Sequence, residues 1–354
     1  MPTRPDVEIV GASFAGLACA QACAARGLDA VVWERKRDAG AAVRTTGILV
    51  KEAADELDPP VELTRTLHAV RLYSPSLDWV DLDAPGYRFL ATDTPELLRA
   101  LARRAQDVGA DIRWGSPFRP PRLAPILVGA DGPLSGVARA AGLGVNRRFL
   151  TGVEYELTGV RGVEERLHVF LDSELAPGYI AWVVPGVHIT QVGLASRRSG
   201  KPPLDAFMRR ISDVFDLSGA RRLATRGGLI PIGGTVRRFA RRDVVLVGDA
   251  AGIVSPLTAG GIHTALGSGR AAGLAIVSHL MDGGPTPDVA LRGTYPTFTC
   301  KRVMRRAMDL EPPNALLDLA LGSPRFRDMA RTIFFHHRGL LSGDAWLDLL
   351  HARH

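Results

Sequence analysis

Three cysteines occur in 354 residues, at Cys19, Cys23 and Cys300, and none forms a C-x-x-C pair. This spacing argues against a redox-active dithiol and against a cysteine zinc site, so no metal is expected. Free thiols fit a reducing compartment, and a cytoplasmic location is expected. No run of about twenty apolar residues occurs, so no segment is expected to span a bilayer. A strand pattern already begins at Val7, which leaves no room for a secretory leader. Lysine is scarce too. Of 44 basic residues only four are lysines, Lys36, Lys51, Lys201 and Lys301. No basic run is interleaved with aromatics, so a nucleic-acid partner is not expected. The formal charge of +7 reads either as arginine-rich composition or as attraction to phosphate, in a dinucleotide or on an anionic lipid surface.

What is present is a foldable chain, 46% hydrophobic and 23% charged, long enough for two packed domains. Its opening segment, VEIVGASFAGLACAQACAARGLDAVVWER (7–35), holds a buried strand, a glycine turn, an alanine-rich helix over 15–26 and a second strand. The turn GASFAG (11–16) follows the dinucleotide pattern, with Ser13 at the middle glycine position. Gly11 makes the tight turn, Ser13 is small enough for a pyrophosphate to approach, and Gly16 allows close helix–strand packing. Phe14 and Ala15 then open a helix whose N–H groups suit phosphate. Glu34, 23 positions after Gly11 with Arg35 beside it, stands where a ribose-binding acid is expected.

Two further strands deliver an aspartate beside a glycine. ILVGADG ends at Asp131–Gly132, and DVVLVGDAAG ends at Gly248–Asp249. In a doubly wound sheet such ends line the cofactor crevice, where a carboxylate can accept a ribose or ribityl hydroxyl. The loop Pro256–Ile262, with Gly260 and Gly261, lets backbone approach a flat ring. The helix beginning near Ile262 aims its positive end that way. His263 lies just inside this helix.

The ordered set GASFAG…Glu34, GADG and GDAAG…P…GG resembles the FAD-dependent superfamily of aromatic hydroxylases and geranylgeranyl reductases, over residues 7–273. GYIAWVVPGVHITQVGLA (178–195) resembles the Y-x-W-x-F-P…G segment of the reductases, with Val184 at the phenylalanine position. The resemblance implies FAD, and a substrate wall carrying Tyr179, Trp182, Val184 and Pro185. By itself the segment reads as a hairpin turning at Pro185–Gly186, with Trp182, Val183 and Val184 as apolar walls. The GVEYEL (152–157) and GGLIPIGG (227–234) segments match the reductase layout as well.

The sequence also departs from that family. Its cysteine after the second strand is missing: AAVRTTGILVKEA (41–53) offers Arg44, Thr45 and Thr46 instead. Arg44 would meet the pyrophosphate or the substrate, Thr45 is placed with the cofactor, and a proton-delivery role is vacant or falls to a threonine. In the helix DTPELLRALARRA (93–105), Thr94 takes the usual arginine's place and Arg99 is its substitute.

The expected fold is α/β: a Rossmann-like doubly wound FAD-binding domain (1–60, 92–150, 226–285), an inserted antiparallel-sheet substrate domain (61–91, 151–225) and a helical C-terminal region (286–354). The expected activity is reduction of C=C bonds in a polyprenyl or other apolar substrate by hydride from reduced FAD. Tyr179, Trp182 and His263 are the catalytic candidates, with Tyr179 or a water near His263 as proton donor. NADPH or a ferredoxin-like carrier would supply electrons, since GSGRAAG (267–273) sits inside a helix with no preceding strand. A single-component monooxygenase, a redox-neutral cyclase or isomerase, and a non-catalytic flavin-binding protein stay open. So does a peripheral membrane contact through the arginine-rich tail, which includes ALLDLALG, RFRDMARTIFF and GDAWLDLLHARH.

Overall fold

A computed structural model describes residues 4–197 and 200–335. The chain forms two compact units. The first takes the segment ending at Val43, Thr94–Phe149 and Ile230–Thr297, and the second takes Arg44–Asp93, Leu150–Leu229 and the chain from Phe298. Residues 44–60, which the sequence reading puts with the first unit, cluster with the second because Ile48–Leu49 pairs with Leu90–Ala91. The helices after Phe298 also belong to the second unit, while GDAWLDLLHARH (343–354) lies outside the described residues.

The first unit is built on a six-stranded sheet. Strand Val7–Val10 lies at its centre, parallel to Ala30–Trp33 on one side and Ile126–Gly129 on the other. Asp111–Arg113 extends one edge and Val244–Leu246 the other, both parallel, with Ala240–Arg241 added antiparallel. The run VEIV is buried almost throughout, as expected for a parallel strand covered on both faces.

Helices Phe14–Ala24 and Ile262–Met281 pack together unusually closely. A Cβ on Gly269 would stand 2.1 Å from the Ala15 carbonyl oxygen, and one on Gly273 would stand 2.6 Å from the Ala22 Cβ. Gly269 and Gly273 of GSGRAAG therefore serve helix packing, while Gly267 is exposed with open space around it.

The second unit holds a seven-stranded sheet and a three-stranded one. The large sheet contains the hairpin read from the sequence, Ala181–Pro185 antiparallel to Thr190–Ser196. It also contains Ala69–Tyr73 antiparallel to Trp79–Asp83, both from the inserted segment 61–91. The two insertions join where Ala69–Tyr73 pairs parallel with Arg166–Phe170.

Strand alternation gives this sheet two cores. One face carries Tyr73, Phe170, Ala181, Val183 and Leu194 under helix Leu204–Ile211. The other carries Leu72, Val169 and Val184, with Trp182 packed beside them, against Leu67, Phe89 and Phe335. Val183 therefore cannot share a wall with Trp182 and Val184. Neighbouring residues of a strand point to opposite faces, which corrects the sequence expectation.

Candidate cofactor cradle and a buried carboxyl cluster

In the first unit the glycine turn is formed by steric necessity. Gly11 has φ +107°, and a Cβ there would stand 2.4 Å from the Ala130 carbonyl oxygen. One on Gly16 would stand 1.8 Å from the Gly11 carbonyl oxygen. The helix that follows starts at Phe14 with Ser13 as N-cap, and no side chain caps it. The long helix at Ile262 is likewise uncapped by any side chain. By contrast, the helix Gly136–Ala140 is capped by Ser135 Oγ, which accepts from the Ala138 N–H at 2.9 Å. Unpaired N–H groups and the dipole leave the first two helix ends suited to anionic groups.

Glu34 is buried. Its carboxylate accepts from the Ala12 N–H and the Lys36 N–H, each at 2.8 Å, and so ties the glycine turn to the second strand. A carboxylate has about four lone-pair sites, so it can still accept a ribose hydroxyl. Asp131 Oδ2 accepts from the Gly136 and Val137 N–H groups, whereas its buried Oδ1 has no partner. A buried acceptor left open in this way calls for an external donor.

Asp249 is half-buried, and desolvation pushes its carboxyl up to about 6. Gly248 has φ +55°, and its N–H donates to Ser268 Oγ at 3.0 Å. Asn146 braces the two aspartate loops: its Nδ2 donates to the Pro133 carbonyl at 3.0 Å and to the Asp249 carbonyl at 2.8 Å. The sequence reading missed both Asn146 and Ser268, since an isolated amide or hydroxyl carries no pattern. Pro256 is buried and Gly260 exposed, and the loop closes where the Ser255 N–H meets the Gly260 carbonyl at 3.0 Å. His263 Nδ1 is buried without a partner. Phe14 and Ala15 are buried, Arg35 is exposed, and Gly132 has φ +84°. The guanidinium of Arg99 is taken up by Asp38, at 2.6 Å, and by Glu96. Together, the two uncapped helix ends, the glycine approach and the open Asp131 oxygen fit a flavin dinucleotide.

The remaining predicted residues lie in the second unit. Arg44 is exposed, with its stem over Gly228, and the Thr45 carbonyl accepts from Arg226 at 3.3 Å. Tyr179 lies near Arg305, and burial holds its phenol well above the ordinary range. The Arg305 guanidinium donates to the Gly178 carbonyl and to Asp309. Val184 and Pro185 are buried.

Trp182 stands in one cross-strand row with Val169, Gly193 and Glu154. A Cβ on Gly193 would meet the indole at 2.6 Å, so the ring lies directly on this glycine. The indole Nε1 donates to Glu154 Oε2 at 2.9 Å, and Thr46 Oγ1 donates to the same oxygen at 2.6 Å. Gln191 Nε2 reaches the Thr46 carbonyl at 2.8 Å and Glu154 Oε1 at 3.4 Å. Glu154 is buried, and desolvation pushes its carboxyl above the ordinary range, against the bonds from Thr46 and Trp182. The sequence reading did not single out Glu154. In GVEYEL it looks like an ordinary outward-facing strand residue.

Comparison with known proteins shows the family and the fold. Residues 6–140 match the model of the FAD dependent oxidoreductase family. The chain is 31% identical over 300 residues to a digeranylgeranylglycerophospholipid reductase of Methanopyrus kandleri, covering 76% of each chain. A reductase of the same name from Methanothermobacter thermautotrophicus is 31% identical over 298 residues, again covering 76% of each. Among solved structures, a geranylgeranyl bacteriochlorophyll reductase-like protein of Thermoplasma acidophilum superposes with TM-score 0.82 at 20% identity, covering 98% of this chain and 99% of that one. PqsL of Pseudomonas aeruginosa, a probable FAD-dependent monooxygenase, shares the fold with TM-score 0.67 at 18% identity, over 89% of this chain and 100% of that one. The chain belongs to the geranylgeranyl reductase family of FAD-dependent oxidoreductases.

Proposed function

We propose that this oxidoreductase reduces isolated C=C bonds in a polyprenyl chain or a similarly apolar substrate. The observation that carries the reading is its 31% identity, across three quarters of the chain, to reductases named for a digeranylgeranyl lipid. The placing of Trp182 supports it: the indole is fixed between the apolar residues Val169 and Val184 and the Glu154 cluster.

The N-terminal turns at Phe14 and Ile262 would hold the pyrophosphate and the ring of FAD. Glu34 and Asp131 would take its hydroxyls, and the Pro256–Gly261 loop would lie along the ring. When bound and reduced, FAD supplies a hydride. An isolated alkene has no carbonyl to hold developing charge, so orientation and exclusion of water fall to the apolar side chains around Trp182. Tyr179 stays a neutral phenol at ordinary pH, and His263 offers a buried ring nitrogen with no partner.

Electrons would come from NADPH bound transiently or from a ferredoxin-like carrier. GSGRAAG lies inside helix Ile262–Met281, where Gly269 and Gly273 are used in packing, so no second nucleotide turn forms there. No described helix is long and apolar enough to cross a membrane. A peripheral contact would run through Val303, Leu310, Leu316 and Leu319, all more than half exposed, with Arg302 and Arg306 exposed beside them.

The test is mass spectrometry of prenyl substrates after incubation with dithionite-reduced protein, first without oxygen and then with it. A gain of two hydrogens under anaerobic conditions is expected. An oxygen atom gained only in air would make the protein a monooxygenase, and unchanged mass with a new isomer would make it a cyclase.

A further inference from the structure

We infer that Glu154 stores the proton that completes alkene reduction and releases it through the hydroxyl of Thr46. The inference rests on the reductase reading for the proton's destination, but not for its storage.

Glu154 is 4% exposed, and all three groups that donate to it, Thr46 Oγ1, Trp182 Nε1 and Gln191 Nε2, are neutral. The charged groups facing the cluster are Arg226 and Glu156, and these two are paired with each other. An ionised Glu154 would therefore be a buried charge with no counter-ion of its own, the circumstance that favours the protonated form. Desolvation acts in the same direction and is the largest influence on this group. Its two oxygens are also unequal. Oε2 takes two good hydrogen bonds, while Oε1 has only the 3.4 Å contact from Gln191. The proton that Thr46 can take is one on Oε2, 2.6 Å from its hydroxyl: in the acid form this bond reverses and Oε2 donates to Thr46 Oγ1.

The exit follows from exposure and chemistry. Glu154 and Gln191 are buried, whereas Thr46 and Trp182 are half-buried. An indole N–H can donate but cannot accept, so Trp182 cannot pass a proton on; a hydroxyl does both. Thr46 Oγ1, 2.6 Å from Glu154 Oε2, is the member of the cluster able to give up its proton outward while taking one from behind.

The step balances. One alkene carbon takes the hydride and the π bond breaks. Its electron pair forms the second C–H bond with the proton from Thr46, Thr46 takes the proton of Glu154, and the resulting carboxylate is reprotonated from water. The spent hydride equivalent is restored by the electron donor. Glu154 acts through Thr46 and is therefore a positioning residue; Thr46 is the group that meets the substrate.

The experiment uses flavin-loaded protein and two readouts. Infrared difference spectra across pH, without substrate, should show in the wild type a protonated carboxyl band near neutral pH that Glu154→Gln lacks. Anaerobic single turnover of the dithionite-reduced protein with a prenyl substrate should slow roughly 10²–10⁴-fold in Glu154→Gln and Thr46→Val, the range of a lost general acid. Thr46→Ser should recover most of the rate, with flavin content and melting unchanged in all three. The wild-type rate should fall as pH rises through the infrared titration, and Glu154→Gln should lose that dependence. A wild type without the band, or variants that turn over normally, overturns the inference. A wild type that shows the band but reduces no prenyl compound overturns the reductase reading and the proton's destination together, and leaves storage at Glu154 standing.

Discussion

Glu34 and Glu154 are both buried carboxyls, one in each unit, at 6% and 4% exposure. Glu34 accepts from two backbone N–H groups. Glu154 accepts from a threonine, a tryptophan and a glutamine side chain. Backbone donors persist through almost any substitution, so the first arrangement survives wherever the glycine turn does. Side-chain donors can be exchanged one at a time. On the proposed reading the first unit would therefore hold its ligand by the path of the chain, while the second would set its chemistry by residue choice. This is the expected division between a common cofactor and a variable substrate.

The comparison breaks most visibly at Gly16. Gly16→Val puts a Cβ where the Gly11 carbonyl stands at 1.8 Å, and backbone cannot yield as a side chain can. Loss of nearly all bound flavin is expected, read from the visible absorbance of the purified protein; a yellow variant would refute the cradle. Gly193→Val is the counterpart in the second unit. It pushes the indole of Trp182 off its seat at 2.6 Å, so flavin content should hold while turnover falls by on the order of 10²-fold. Equal loss of both properties would erase the distinction between the units.

A pH experiment addresses the second unit alone. His168 is 1% exposed, its Nδ1 lies 3.1 Å from the Tyr73 hydroxyl, and burial pushes its imidazole down to about 4. An unfolded histidine titrates near 6.5, so between those values the unfolded chain binds the extra proton. The stability from this group is present above about pH 6.5 and is lost as pH falls toward 4, a change of roughly 3 kcal/mol. Chemical denaturation across this range should show that slope in the wild type and a flatter one in His168→Gln. The smallest effect belongs to Arg99→Ala. Its partners Asp38 and Glu96 are 38% and 45% exposed, so less than about 1 kcal/mol and no flavin should be lost. A colourless Arg99→Ala would instead return Arg99 to a phosphate-binding role.

Much of the first unit was legible in the sequence. VEIV, AVVW and the helix from Ile262 fall where the pattern puts them, because a parallel strand buried on both faces and a glycine turn leave local signatures. Asn146 and Ser268 were not legible: each ties together segments far apart in the chain. In the second unit the hairpin was readable from its alternation, but its turn lies over residues 186–189: Pro185, read as part of the turn, ends the first strand and pairs with Thr190. Val183 faces the opposite core from Trp182 and Val184, because strand alternation and not apolar type sets the face.

By itself, the sequence determined the order of strand, turn and helix around the cofactor motifs, the positions where only glycine fits, and the flavoprotein family. Those properties follow from local sterics and short-range periodicity. Only the tertiary structure decided that Gly269 and Gly273 seat one helix on another, that Trp182 hydrogen-bonds a buried acid, and that Glu154 has no cation of its own. Burial and hydrogen-bond partners depend on segments that meet only in the folded chain: Thr46, Glu154 and Gln191 come from three distant stretches and gain their chemistry from losing water together.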